Sequence, residues 1–412
     1  MARSIILRLR YLLPLPRSFR LTPRLPKAIR SFLSGSHAPR PRKLHSTSYL
    51  DGLRGLAALV VCVCHYTEAN HPGLTPWYGV SSDPAPAREP SWIQLPFVRV
   101  MFSGRPMVHV FFVISGFALS VKALTAVRAR DFTRCHSILA SAVLRRPVRL
   151  CGPPIVLMLF IFLFLRAGWL WGLLPTLRQQ LDDWVAAVCF HVIWPRSWDA
   201  HLYPPYNVSL WTIPLELYHS MLLFLMILAL SRMRPAARAA FALASVVYCL
   251  HCAKWAAAEF VGGMLLAEAH LVREERENRE SLPLVNSPLY PSNSQGNELE
   301  PSRRKKRSST INAMETILHS TILTAALFIA GWPNMDPSRT PGIRHLVDFV
   351  SGASNPRDPQ GPQKFWFAIA AMGAVWSCGR LAFVRKMILE SRFAQDAGRI
   401  SFAVYIVHGP GA

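Results

Sequence analysis

Acidic residues are scarce in this chain. Its 412 residues carry 23 Asp and Glu against 46 Lys and Arg, a formal net charge of +23. Residues 1–45 hold eleven Lys or Arg and no acid at all. They also lack a continuous apolar stretch followed by a small-residue cleavage site, which argues against a secretory signal. An Arg-rich, acid-free segment of this kind is shared with mitochondrial transit segments. A disordered cytosolic tail over 1–47 is the simpler reading. Cysteines are few, eight in all, and only Cys249 and Cys252 make a Cys-x-x-Cys pair. With no second pair at zinc spacing, a structural metal site is not expected. No nucleophile elbow and no internal repeat is evident, which speaks against a Ser-type covalent mechanism and against the repeated halves typical of transporters.

Apolar sequence is plentiful by contrast. Hydrophobic residues make up 51% of the chain, and mean hydropathy is +0.23. They gather into blocks of about 17–22 residues separated by basic or Pro-rich stretches, the pattern of a polytopic helical membrane protein. Spans are expected near 48–66, 106–122, 151–170, 209–230, 239–252, 255–270, 313–331 and 364–382, with a final apolar start at 400–412. The expected fold is therefore an all-α transmembrane bundle of about 9–10 spans. The last span stops after about thirteen residues where about twenty are needed. Either it is truncated relative to a full fold, or that helix ends inside the bundle. A short interfacial helix is expected around Leu177–Phe190, and a disordered cytosolic loop over 272–312, which is polar and ends in Arg303-Arg304-Lys305-Lys306-Arg307.

The cations explain orientation better than nucleic-acid binding. With the N-terminus in the cytosol, the loops 122–150, 231–238, 272–312 and 383–399 are all cytosolic, and all are the basic ones. An integral, multi-pass protein of the plasma membrane or endoplasmic reticulum follows, in contact with lipid and not with nucleic acid.

The first span, YLDGLRGLAALVVCVCHY from Tyr49, carries the sharpest polar pattern. At 100° per residue, Asp51, Arg54, Ala58 and His65 share one helix face. Charges inside an apolar span are costly, so such a face looks into a bundle or cavity. The alternative is a soluble core helix with a capping Asp. His65 lies about 21 Å along the span from Asp51, and Glu216 about 10 Å into a span entered from the other side. The two are thus expected at similar depth. A carboxylate that holds an imidazole in one tautomer makes it a better general base. The alternative is two independent polar residues. Arg145, Arg146 and Arg149 stand at the cytosolic mouth of the third span, suited to gripping phosphates or simply to anchoring that end. His109 and Arg105, near the outer end of the second span, read as interfacial snorkelling groups. Tyr405 and His408 share a face of the last span. Asn207-Val208-Ser209 is a sequon abutting the fourth.

These segments together resemble the acyltransferase 3 family of integral membrane acyltransferases, in its fungal form. LDGLRGLAALVVCVCHY resembles the opening motif, with Arg54 and His65 in place. HVFFVISGFALS resembles the second-span motif through Ser115, Gly116 and Phe117. RRPVRLCGPP resembles the arginine motif, SLWTIPLELYHSMLLFL the motif that places Glu216, and SFAVYIVH the late motif with Tyr405 and His408. The resemblance covers the chain after about residue 47, so 48–412 is expected to be one transmembrane domain of that kind. It implies transfer of an acyl group, often acetyl, from a coenzyme A thioester to a hydroxyl of a sugar, lipid or small metabolite. Acyl-CoA is then a co-substrate, with no permanently bound cofactor.

On that resemblance His65 is expected to take the acceptor proton and Glu216 to orient it. Arg145, Arg146 and Arg149 are expected to bind the donor. Arg54 either joins them or pairs with Asp51, while Asp51, Ser115, Tyr405 and His408 support the site. The alternatives are a membrane transporter or lipid-handling protein without chemistry, and a truncated pseudoenzyme of the same fold.

Overall fold

The computed structural model describes residues 44–76, 91–170, 172–193, 206–281, 300–334, 337, 340, 342–351 and 360–408. Among them the regular elements are all helical. We number the principal helices α1 (Ser48–Asn70), α2 (Gly104–Arg128), α3 (Phe132–Arg166), α4 (Leu177–Ala187), α5 (Thr212–Leu230), α6 (Pro235–His251), α7 (Trp255–Ser281), α8 (Glu300–Ala330), α9 (Ile343–Ser351), α10 (Gly361–Arg380) and α11 (Arg392–Val407). Residues 46–412 fall in one compact unit. Among the described residues, six helical segments are long and apolar enough to cross a membrane: Ser48–Asn70, Gly104–Arg128, Phe132–Arg166, Ser209–Leu230, Trp255–Arg279 and Asn312–Ala330. Only 22% of the last of these is buried by protein. Its exposed Met314, Ile317 and Leu318 therefore require lipid as solvent. The chain is an integral membrane protein.

Every apolar block expected as a span coincides with a helix, but several ends move. The third block belongs to a 35-residue helix that runs through the basic segment before it and carries Pro147, Pro153 and Pro154 inside. The turn ahead of it is tight. Arg130 adopts φ 58°, and Asp131 caps α3 by accepting from the Arg134 N–H at 2.9 Å. The stretch 272–312 is not a loop throughout. Helix α7 continues to Ser281 and α8 begins at Glu300, while 282–299 and the tail 1–43 lie outside the described residues. The short helix expected near 177–190 is α4, opened by a Thr176–Gln179 capping box. The last helix begins at Arg392, well before Ile400, and so follows α1 from Ser48, whose carbonyl accepts from Gln395, to His65, on which His408 stacks.

Two close approaches fix the bundle. A Cβ on Gly55 would stand 2.3 Å from the Gly398 nitrogen, and one on Gly398 2.3 Å from the Asp51 carbonyl oxygen. The first and last helices therefore meet backbone to backbone, which only small residues permit. Gly116 and Gly263 do the same for α2 and α7, where a Cβ on either would stand under 2.5 Å from a facing carbonyl oxygen. One end of the bundle collects the basic turns and the ion cluster Arg128–Glu268–Arg238, with contacts of 2.6 and 2.7 Å. We call it the basic end. The C-terminal end of α1 lies at the opposite end.

Candidate active site

The polar residues singled out from sequence resolve into three groups. The first lies within the bundle. Glu216 of α5 accepts from Arg146 Nη2 of α3 at 2.5 Å and from Ser115 Oγ of α2 at 2.8 Å, both on Oε1. Arg146 Nε also donates to Ser220 Oγ at 3.2 Å. Both charged side chains are about four-fifths covered, at 20% and 19% exposure. A charge pair in such surroundings persists because each partner is neutralised and hydrogen-bonded. Three helices are thereby tied at one point.

The second group joins α1 to α11. Arg54 pairs with Asp51 at 3.1 Å and donates to Ser401 Oγ at 3.1 Å and the Gly398 carbonyl at 3.2 Å. Of the two roles open to Arg54, the structure displays the bundle ion pair.

The third group lies at the opposite end. His65 Nδ1 faces Glu68 Oε2, one turn on, at 3.4 Å. Its ring stacks on His408 with centroids 5.0 Å apart and planes 28° apart. His408 Nδ1 contacts the Val404 carbonyl, and its Nε2 contacts Ser209 Oγ, each at 3.3 Å. A carbonyl only accepts, so Nδ1 carries the hydrogen, while Nε2 and the Ser209 hydroxyl share a bond in which either can donate. Tyr405 donates to the Ser209 carbonyl at 3.3 Å and shares a 2.8 Å bond with Thr212. The imidazole of His65 is 42% exposed, open enough to receive a substrate.

The expected pairing of His65 with Glu216 does not form. His408 ties the level of His65 to Ser209, seven residues before Glu216. The carboxylate of Glu216 therefore lies about 10 Å deeper and is spent on Arg146. The arginine trio also divides. Arg146 turns inward, whereas Arg145 is exposed with its Nε on the Ser141 carbonyl at 3.1 Å, and Arg149 is exposed. His109 does not snorkel. It is 5% exposed and bonded through Nδ1 to the fully buried Glu259. The sequon is not presented to solvent. Asn207 is 3% exposed and donates to the Ile406 carbonyl at 2.8 Å while its Oδ1 accepts from Ser209 N–H.

Sequence reasoning passed over Glu68 and Glu259. The i, i+3 spacing of Glu68 from His65 was the available signal for the first. Nothing local marked the second, 150 residues from its partner. Among the described residues, no three His, Cys, Asp or Glu side chains converge as a metal ion would need.

With this geometry in place, comparison with known proteins is informative. The family described as an acyltransferase domain matches residues 47–411. The O-acetyltransferase PaAT-1 of Phomopsis amygdali is 30% identical over 400 residues, covering 91% of this chain and 74% of that protein. Acyltransferase R4 of Phoma sp. is 26% identical, covering 91% of this chain and 86% of its own length. Acyltransferase clz18 of Cochliobolus lunatus is 24% identical, covering 90% and 84%. No solved structure matches.

Proposed function

Since the chain belongs to the acyltransferase 3 family of membrane-embedded O-acyltransferases, we propose that its donor is an acyl-coenzyme A, acetyl in the first instance, and its acceptor a hydroxyl of a sugar, lipid or small metabolite. The acetyl group is supported by the name of one relative, an O-acetyltransferase. One observation carries the division of labour. An imidazole half open to its surroundings stands at one end of the bundle, and the exposed guanidinium groups of Arg145 and Arg149 flank the covered Arg146–Glu216 pair midway along α3.

The basic end faces the cytosol in this reading, with the N-terminus on that side, in the plasma membrane or endoplasmic reticulum. The donor's phosphates enter from that side and meet Arg145 and Arg149, beside the Arg146–Glu216 pair, as bidentate partners. Its thioester arm reaches into the bundle past Ser115, Arg146 and Glu216. The acceptor hydroxyl arrives at His65. Its proton passes to the imidazole, its oxygen bonds to the thioester carbonyl carbon, the C–S bond breaks, and the sulfur leaves as coenzyme A and regains the proton. General-base catalysis of this kind contributes about 10²–10⁴-fold. Glu216 serves here by fixing Arg146, and Arg54 by joining the first and last helices. Tyr405 and His408 hold the end of α11 against α5.

The test is release of free coenzyme A from acetyl-CoA by the purified protein in liposomes, with a panel of hydroxylated acceptors. Wild type and His65→Ala are compared. Release that requires both an acceptor and His65 is expected. Equal release from the two proteins removes His65 from the mechanism, and release without any acceptor refutes the transfer.

A further inference from the structure

We propose that Glu68 is the positioning carboxylate of His65, setting its tautomer so that Nε2 is the nitrogen offered to the acceptor hydroxyl. This rests on the reading of His65 as the base. Five contacts support it. Glu68 Oε2 faces Nδ1 at 3.4 Å, so the ring hydrogen sits on Nδ1 and the lone pair on Nε2. Glu68 Oε1 is itself held, accepting from Asn334 Nδ2 at 2.8 Å across 266 residues of chain. The carboxylate is thus anchored from a separate element, the segment after α8. The far face of the imidazole lies on His408, which stops the ring from turning. His408 is fixed in turn by Val404 and Ser209.

The arrangement suits a proton that comes and goes. When His65 takes the acceptor proton, the new imidazolium faces an anion already in place. Charge forms beside a preorganised partner and needs no rearrangement. A proton on His408 as well would set two cations in a 5.0 Å stack, and the Glu68 carboxylate beside His65 favours that ring for the extra proton. The charged and titratable groups facing this pair are few. Glu68 comes from α1, His408 from α11, and Arg105 of α2 acts on Glu68 together with the Cys64 thiol. Ser209 and Asn334 contribute uncharged contacts. Asn334 is a positioning residue once removed. It reaches His65 only through the carboxylate.

The experiment reads His65 directly and needs no acceptor. The purified full chain in detergent is treated with diethyl pyrocarbonate across a pH series. Modification of the peptide carrying His65 is then measured by mass spectrometry, which separates it from His408. In Glu68→Gln, which keeps the shape and loses the charge, the half-point of modification is expected to fall by about one pH unit. Asn334→Ala is expected to move it the same way by less. Glu68→Ala serves as the stronger variant where it folds, judged by thermal unfolding in the same detergent. An unchanged half-point in the Gln variant overturns the proposal.

Coenzyme A release from acetyl-CoA separates the two readings. Release lost in His65→Ala together with an unmoved half-point keeps the base and discards Glu68 as its partner. A shifted half-point with release indifferent to His65 discards the catalytic role of both.

Discussion

Two polar clusters in this molecule each set a carboxylate beside a basic side chain, and they differ in what they leave over. At the Arg146–Glu216–Ser115 junction Arg146 Nε and Nη2, Ser115 Oγ and Glu216 Oε1 each meet a partner on another helix, and the two charged side chains are about one-fifth exposed. At the His65 end the contacts fix one ring nitrogen and one ring face, and they leave the other nitrogen to a side chain 42% exposed. The difference separates structure from chemistry. A covered pair bonded across three helices holds them in register, whereas a half-open imidazole keeps one ring nitrogen for a substrate.

The comparison breaks most visibly at the open cluster. His65→Ala is expected to lower coenzyme A release by about 10²–10⁴-fold with thermal unfolding unchanged. A matching loss of stability would make His65 a structural residue. At the closed cluster the order of effects reverses. Glu216→Ala leaves Arg146 unpaired and is expected to cost about 2–3 kcal/mol of stability, somewhat less than a fully buried pair because the site is part-exposed. Glu216→Gln is expected to cost less, because the amide keeps an acceptor for Ser115. A Glu216→Ala protein as stable as wild type and only catalytically impaired would move this residue into the chemistry.

A smaller effect belongs to the exposed arginines. The double replacement of Arg145 and Arg149 by Ala is expected to raise the KM for acetyl-CoA by about tenfold with kcat unchanged. Loss of uniform binding has that signature. Smallest of all is Asn207. Because its amide is committed inside the bundle, Asn207→Gln is expected to leave gel mobility unchanged, as is glycosidase treatment of the wild type. A mobility shift in either would mean that this segment is open when the chain is glycosylated.

The resemblance led to the right family because its motifs sit on helix ends and faces where they are visible locally. Depth arithmetic did less well. His65 and Glu216 were placed level by counting from assumed span edges, yet the 3₁₀ turn Val208–Trp211 and the anchoring of Ser209 on His408 put the level of His65 at the start of α5. Glu216 is two turns further in. The arginine trio shows the same limit. Three guanidinium groups within five positions look equivalent in sequence, but Ser115 and Glu216 wait on only one side of α3. His109 was read as a surface group because its partner Glu259 is five helices later in the chain.

The sequence by itself determined that this chain is a helical membrane protein with polar faces turned inward. Apolar run length, Lys and Arg asymmetry and helical periodicity are properties of a segment alone. Which carboxylate each histidine or arginine meets was decided only by the tertiary structure. Those pairings depend on the rotation and sliding of one helix against another, set by close contacts such as Gly55 on Gly398 and Gly116 on α7. A shift of one helical turn, about 5.4 Å, would have exchanged the partners without changing a single residue.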